Sequence, residues 1–377
     1  MPVRIALSGF LALVAAMGIG RFAFTPQVPL MIGEGQLTLT SAGLVAALNY
    51  LGYLLGAWDA MRARRGVETR LYLGIGGAVA LTFLSALADN PWLHGALRLV
   101  IGAMSGWAMV LTAAWVNERL AHYSRPGLSA AVFAGPGAGI AISGLLGVFI
   151  HARSLSAAAG WQLYGVLALL LVALVARWLP RPGDLHRSGE QPQPLTLTRN
   201  LRRLVWSYSL AGFGYILPAT FLSQMASQRF PESLFAQFIW PVFGLAGVTG
   251  IALSIATRRL GHAHQRLAIV LWLQGLGVLA AWLLPGMSGL VGGALLVGGG
   301  FMAAVQLALL YGRELAPRHG RYMAGLLTTG YAIGQLVGPM TSALSSWLTQ
   351  RLEPALGVAA VALLIGGALV WRPKAER

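Results

Sequence analysis

Residues 181–203 read RPGDLHRSGEQPQPLTLTRNLRR, and this stretch divides the chain. It is polar, contains three prolines, and is too long for a tight turn between helices. Six apolar runs precede it, near 5–32, 38–59, 71–88, 92–116, 128–150 and 160–179. Six more follow, near 204–225, 235–256, 267–284, 289–311, 322–347 and 354–371. Each is close to the ~20 apolar residues that cross the hydrocarbon of a bilayer. The expectation is an all-α membrane protein with twelve transmembrane helices in two pseudo-symmetric six-helix bundles. Residues 1–180 would form the first bundle, 181–203 a cytoplasmic linker and 204–377 the second bundle. The first run is too long for a cleaved signal and continues into Arg21, so it is expected to stay as a span.

Composition agrees. Hydrophobic residues make up 56% of the chain and charged residues 10%, against about 25% charged in soluble domains. So few charges do not cover a water-soluble globule. The net charge of +16 invites a nucleic-acid reading, but its distribution argues against one. Twenty-two of the 27 Lys and Arg fall in alternate connections: Arg4, Arg62 to Arg70, Arg119 and Arg125, Arg177 to Arg203, Arg258 to Arg266, Arg313 to Arg321, and Arg372 to Arg377. The other connections hold Arg153, Arg229 and Arg351, while Arg21 and Arg98 lie inside apolar runs. This is the positive-inside pattern. It predicts an even number of crossings, both termini in the cytoplasm, a bacterial inner (cytoplasmic) membrane location and no nucleic-acid partner. The chain has no cysteine, which excludes disulfides and thiol catalysis.

The two halves resemble each other. At an offset of 195 residues Gly52 meets Gly247, Arg64 meets Arg259, Gly66 meets Gly261, Gly135 meets Gly330 and Gly139 meets Gly334. With a shift of one residue, Gly18-Ile19-Gly20 meets Gly212-Phe213-Gly214. Six runs per half give both halves one orientation, so the repeat is parallel, about an axis along the membrane normal.

Several motifs resemble the major facilitator superfamily over essentially the whole chain. The stretch from Gly52 to Gly66, with Asp59 and Arg64, is a degenerate form of the family's Gly–Asp–Arg–Gly–Arg loop after the second helix. In that family the acid and arginines latch the two halves together. Arg98-Leu-Val-Ile-Gly102 is similar to the family's membrane-embedded arginine with a glycine four residues on. Gly135-Pro136-Gly137-Ala138-Gly139 is similar to the Gly-Pro motif of exporters and antiporters. There the proline removes a helix hydrogen bond and the glycines let backbones approach. Gly18-Ile-Gly20-Arg21-Phe22-Ala-Phe24-Thr-Pro26 and Gly212-Phe-Gly214-Tyr215-Ile-Leu-Pro218 resemble the YbfB/YjiJ-type branch. The resemblance implies the major facilitator fold, secondary transport by alternating access, and coupling or gating roles for Asp59, Arg64, Arg98, Gly135, Pro136 and Gly139. By family analogy, the Gly-Pro motif favours export or antiport over uptake.

Arg21 lies near the middle of an apolar run. Such a charge costs several kcal/mol unless it faces water or a partner. One reading makes it the anchor for an anionic or electronegative substrate group; the other has it satisfied by carbonyls freed around Pro26 and Pro29. Arg98 divides between coupling and a structural contact to Asp89 or to surface carbonyls. His94, one turn before it, divides between proton carriage and an interfacial role. Polar side chains in the other runs need partners or a wet cavity. Asn49, Tyr53, Tyr215, Gln224, Gln306 and Tyr331 are the substrate-site candidates beside Arg21. Tyr215 leads them because it follows the repeated Gly-x-Gly where the first half has Arg21.

All eleven acids fall in connections or near run ends. The carboxylate that carries protons in drug/proton antiporters is therefore missing from the middle of the runs. The substrate is expected to be a small anionic, zwitterionic or amphipathic molecule, with protons as a candidate coupling ion, no cofactor and a monomeric state. An intramembrane enzyme needs a nucleophile–base pair or metal ligands inside the spans. Ser105 is not in a Gly-x-Ser-x-Gly elbow, and no Gly-x-x-x-x-Gly-Lys nucleotide loop occurs. A transporter-like receptor that moves nothing is a further alternative.

Overall fold

The computed structural model describes residues 1–63, 65–123, 126–185, 196–231, 233–349, 351 and 353–373. Arg64 and residues 186–195 of the linker lie outside them. Each apolar run lies largely within helix. The helices are α1 Pro2–Gly33, α2 Leu39–Arg62, α3 Val67–Leu87, α4 Pro91–Leu120, α5 Gly127–Ala152 and α6 Ala157–Trp178. After the linker come α7 Arg199–Arg229, α8 Ile239–Ala256, α9 Ala263–Leu283, α10 Met287–Leu315, α11 Gly320–Thr349 and α12 Pro354–Trp371. Ten of them, all but α7 and α11, are long and apolar enough to cross a membrane. At 31 and 30 residues, α7 and α11 are also long, about 45 Å at 1.5 Å per residue.

Local chemistry sets the ends. Thr38 and Ser41 form a reciprocal capping box at the start of α2. The Asn90 side chain accepts from the Trp92 and Leu93 amides, and Pro91 follows as the first helical residue of α4. Thr198 caps α7 by accepting the Leu201 amide. That cap corrects one expected boundary: α7 begins at Arg199 and not 204, so the last five linker residues are helical.

Lipid-length helices with abundant glycine pack closely. On each side of the linker the first helix of six packs on the fifth and the second on the fourth: α1 on α5 and α2 on α4, then α7 on α11 and α8 on α10. Among the described residues the main contacts that cross from one side to the other are α2 against α11, α5 against α8 and the second part of α1 against α7. At the second of these, a Cβ on Gly144 of α5 would stand 2.6 Å from Pro241 Cδ of α8, so only glycine fits.

Candidate functional site

The site begins with an irregular turn. Val14–Arg21 of α1 is π-helical, and the Phe22 amide donates to Met17 O, five residues back, at 3.0 Å. Gly18 and Gly20 lie inside this segment, and Arg21 is its last residue. Gly18 backs onto Gly139 of α5, where a Cβ on Gly139 would come within 2.6 Å of Gly18 Cα. π-turns inside α-helices occur mostly as single turns and frequently at functional sites.

Arg21 is 3% exposed. Its Nη2 donates to Gln335 Oε1 at 2.9 Å and its Nε to Asn49 Oδ1 at 3.3 Å. Both amides are held in the matching orientation. Gln335 Nε2 donates to Tyr215 Oη at 2.5 Å, and Asn49 Nδ2 donates to the Arg98 carbonyl at 2.9 Å. The guanidinium also lies 3.8 Å from the centre of the Tyr53 ring and 4.9 Å from that of Tyr50, within cation–π range. Among these contacts there is no carboxylate. Among the described residues the salt bridges are Arg70–Asp59 and Arg119–Asp184, both far along the chain from Arg21.

Arg21 stands at the head of a cavity of about 570 Å³, within the range for small-molecule sites. Met17, Arg21 and Tyr53 line it from one side of the linker and Tyr208, Phe301, Tyr331 and Gln335 from the other. The rings form a continuous stack. Tyr208 to Tyr331 is 4.4 Å between centroids, Tyr331 to Tyr215 5.5 Å and Tyr215 to Phe301 4.9 Å. From Arg21 the lining runs to helix ends at Ala63, Val67, Glu118 and Arg313 and to Leu185 in the linker. In the opposite direction the two sides meet. Thr25 Oγ1 donates to the Ala219 carbonyl at 3.1 Å, and the Tyr50 and Thr220 hydroxyls are 3.1 Å apart. The cavity is thus lined toward one end of the helices and bridged toward the other.

The predicted site residues divide into three groups. Arg21, Tyr53 and Tyr331 are in the cavity wall. Asn49 and Tyr215 stand behind it and orient Arg21 and Gln335. Gln224 and Gln306 do not line the cavity, and each keeps a buried Oε1 without a hydrogen-bond partner among the described residues. Gln335 and Tyr208 are the residues the sequence reading left out of the site. Their signal is helical spacing: Gln335 lies one turn beyond Tyr331, and Tyr208 two turns before Tyr215.

Arg98 is fully buried behind α1. Its Nη1 donates to Gly20 O at 3.0 Å and its Nη2 to Ser85 Oγ at 2.7 Å, and its guanidinium carbon lies 4.6 Å from the Trp161 ring centre. The expected alternative partner Asp89 instead accepts from Asn90 Nδ2 at 2.8 Å. His94 Nε2 pairs with Gln36 Oε1 at 3.0 Å. Asp59 accepts from Arg70 Nε at 2.7 Å and Trp107 Nε1 at 2.8 Å. These contacts stay within the first six helices, so they do not form the inter-half latch that the motif implies; Arg64 lies outside the described residues. Helix stops at Val132 and resumes at Gly135, with Pro136 at the first turn where its missing N–H costs no hydrogen bond.

The structure resembles crystal structures of the nucleoside transporter NupG. The match has a TM-score of 0.71 at 13% identity and covers 98% of both chains. A point mutant of the same transporter matches with a TM-score of 0.70 at 12% identity, over 98% of this chain and 96% of that one. At such identities the likeness speaks for the fold. No curated protein matches the sequence. The family model described as "Uncharacterised MFS-type transporter YbfB" matches residues 13–371. The chain therefore belongs to the YbfB-type family of major facilitator (MFS-type) membrane transporters.

Proposed function

We propose that the protein is a secondary active transporter that carries a small organic solute across the inner membrane by alternating access, working as an exporter or antiporter. In this reading α1 to α12 are twelve spans, with residues 1–180 and 204–377 as two six-helix bundles and the linker and both termini in the cytoplasm. The lined end of the cavity then faces the cytoplasm. The observation that carries the reading is the Arg21–Gln335 hydrogen bond at the head of that cavity. It joins α1 to α11 across the two bundles, at the point where rocking would open one side and close the other. The repeated helix pairings support the same reading.

Because the natural chain has no cysteine, single cysteines report cleanly. Thr328→Cys lies in the cavity wall and Ala219→Cys on the bridged side. Alkylation by a charged maleimide, measured from each face of sealed vesicles, should change reciprocally when solute is added. Reactivity that rises or falls together at both positions would remove alternating access.

A further inference from the structure

The geometry points to the substrate class: an amphipathic monoanion, with one small anionic group such as a carboxylate on an aromatic or apolar body. This rests on the transporter reading above and deepens it.

Three features of the cavity carry the inference. First, the guanidinium at its head is matched only by neutral groups. Two amide oxygens and two tyrosine rings surround Arg21, and Glu118, near the far end, is the acid among the described lining residues. A buried cation without a counter-charge is costly. An incoming anion supplies that charge by displacing one neutral amide, Gln335, whose other end stays tied to Tyr215. Second, the other intramembrane guanidinium is not available to a ligand. Arg98 is buried behind α1, with its Nη groups on Gly20 O and Ser85 Oγ. Arg313 also lines the cavity, but at the far end beside the acid Glu118, so Arg21 is the one cation at the head, and one cation there favours one negative charge over two. Third, the wall below Arg21 is flat and polarisable. Tyr53, Tyr208, Phe301 and Tyr331 present rings, and Met17 and Met302 present thioethers. These surfaces suit an aromatic or apolar body. A nucleoside, neutral and rich in hydroxyls, makes less use of the cation and leaves polar groups against the rings.

Four probes separate the possibilities: 3-phenylpropanoate, its neutral amide 3-phenylpropanamide, the dianion phenylmalonate, and uridine. Binding to the wild-type protein in detergent is read by calorimetry, so the comparison needs no variant. The carboxylate should bind at least about tenfold more tightly than its amide and than the dianion. Arg21→Met should abolish the preference of acid over amide, while Tyr331→Leu should weaken acid and amide together and leave their ratio. Equal binding of acid and amide, binding of uridine but not the acid, or no response to the acid at millimolar concentration would each overturn the assignment. Counterflow of the bound probe in proteoliposomes tests the underlying reading separately. Tight binding of the acid with no flux would leave the ligand class intact and refute transport.

Discussion

Replacing Gly144 by alanine should shift the protein away from the conformation described here. The added Cβ would stand 2.6 Å from Pro241 Cδ and 2.7 Å from Pro241 N. Carbon atoms in contact sit at about 3.5–4.0 Å, so α5 and α8 must part by roughly 1 Å at this point. Neither partner has a side-chain rotamer to yield, since one is a backbone nitrogen and the other a proline ring. Overpacking of this kind costs about 1–3 kcal/mol. The cost is paid only while α5 and α8 touch there, on the bridged side. It is absent once the halves separate on that side. The equilibrium between the two arrangements should therefore move by about 5–150-fold toward opening of that side. Ala219→Cys in a Gly144→Ala background should react with maleimide faster by that factor, because the modification rate follows the open fraction. An unchanged rate in a protein whose thermal midpoint has fallen would show that the strain relaxes within one conformation. The α5–α8 contact would then not be the one that separates.

Three further outcomes follow from the same contacts. Ser85→Ala removes a hydrogen bond to a buried charge, so it should lower the unfolding free energy in detergent by about 1.5–3 kcal/mol; an unchanged midpoint would mean that Arg98 finds another partner. Asp59→Asn should cost less than about 1 kcal/mol in the same measurement, because the Arg70 and Asp59 side chains are 28% and 39% exposed and solvent screens the pair. If the substrate is a monoanion moving without a coupled charge, an inside-negative potential should favour its exit by about 2.3 kcal/mol per 100 mV. Release of 3-phenylpropanoate from proteoliposomes under potassium/valinomycin potentials should then steepen with voltage, while the amide stays indifferent.

The fold was legible because its signals are long and cheap to read. A 20-residue apolar run needs no knowledge of its neighbours, and the basic connections orient it. Arg21 was legible for a related reason: a charge in the middle of such a run must have a special environment. Its partners were harder. Gln335 lies 314 residues further along the chain, and only the packing of α11 against α2 brings it to α1. Gln224 and Gln306 are as polar as Gln335 and lie on neighbouring helices, yet they do not reach the cavity. Polarity places a side chain at a depth, but the direction it faces advances by about 100° per residue, and boundaries uncertain by a few residues leave that direction open. Asp59 shows the limit of motif analogy. Its spacing to Arg64 is irregular, and the nearby Arg70 is the arginine that pairs with it.

The π-helical segment before Arg21 acts as a vernier between the two parts of α1. It holds one residue more than an α-helix needs to climb the same height, so it sets the angular phase of everything beyond it. Deleting a single residue between Val14 and Gly20 would let the ladder close at ordinary pitch and leave the downstream helix in phase, whereas drawing the segment into α-helix with its residue count unchanged would swing position 21 by about 100° around the helix axis, taking the cation out of the chamber with no change in its identity. A one-residue change of length here can thus be taken up within the turn while the same side chains still face the solute, whereas a change of pitch at constant length cannot.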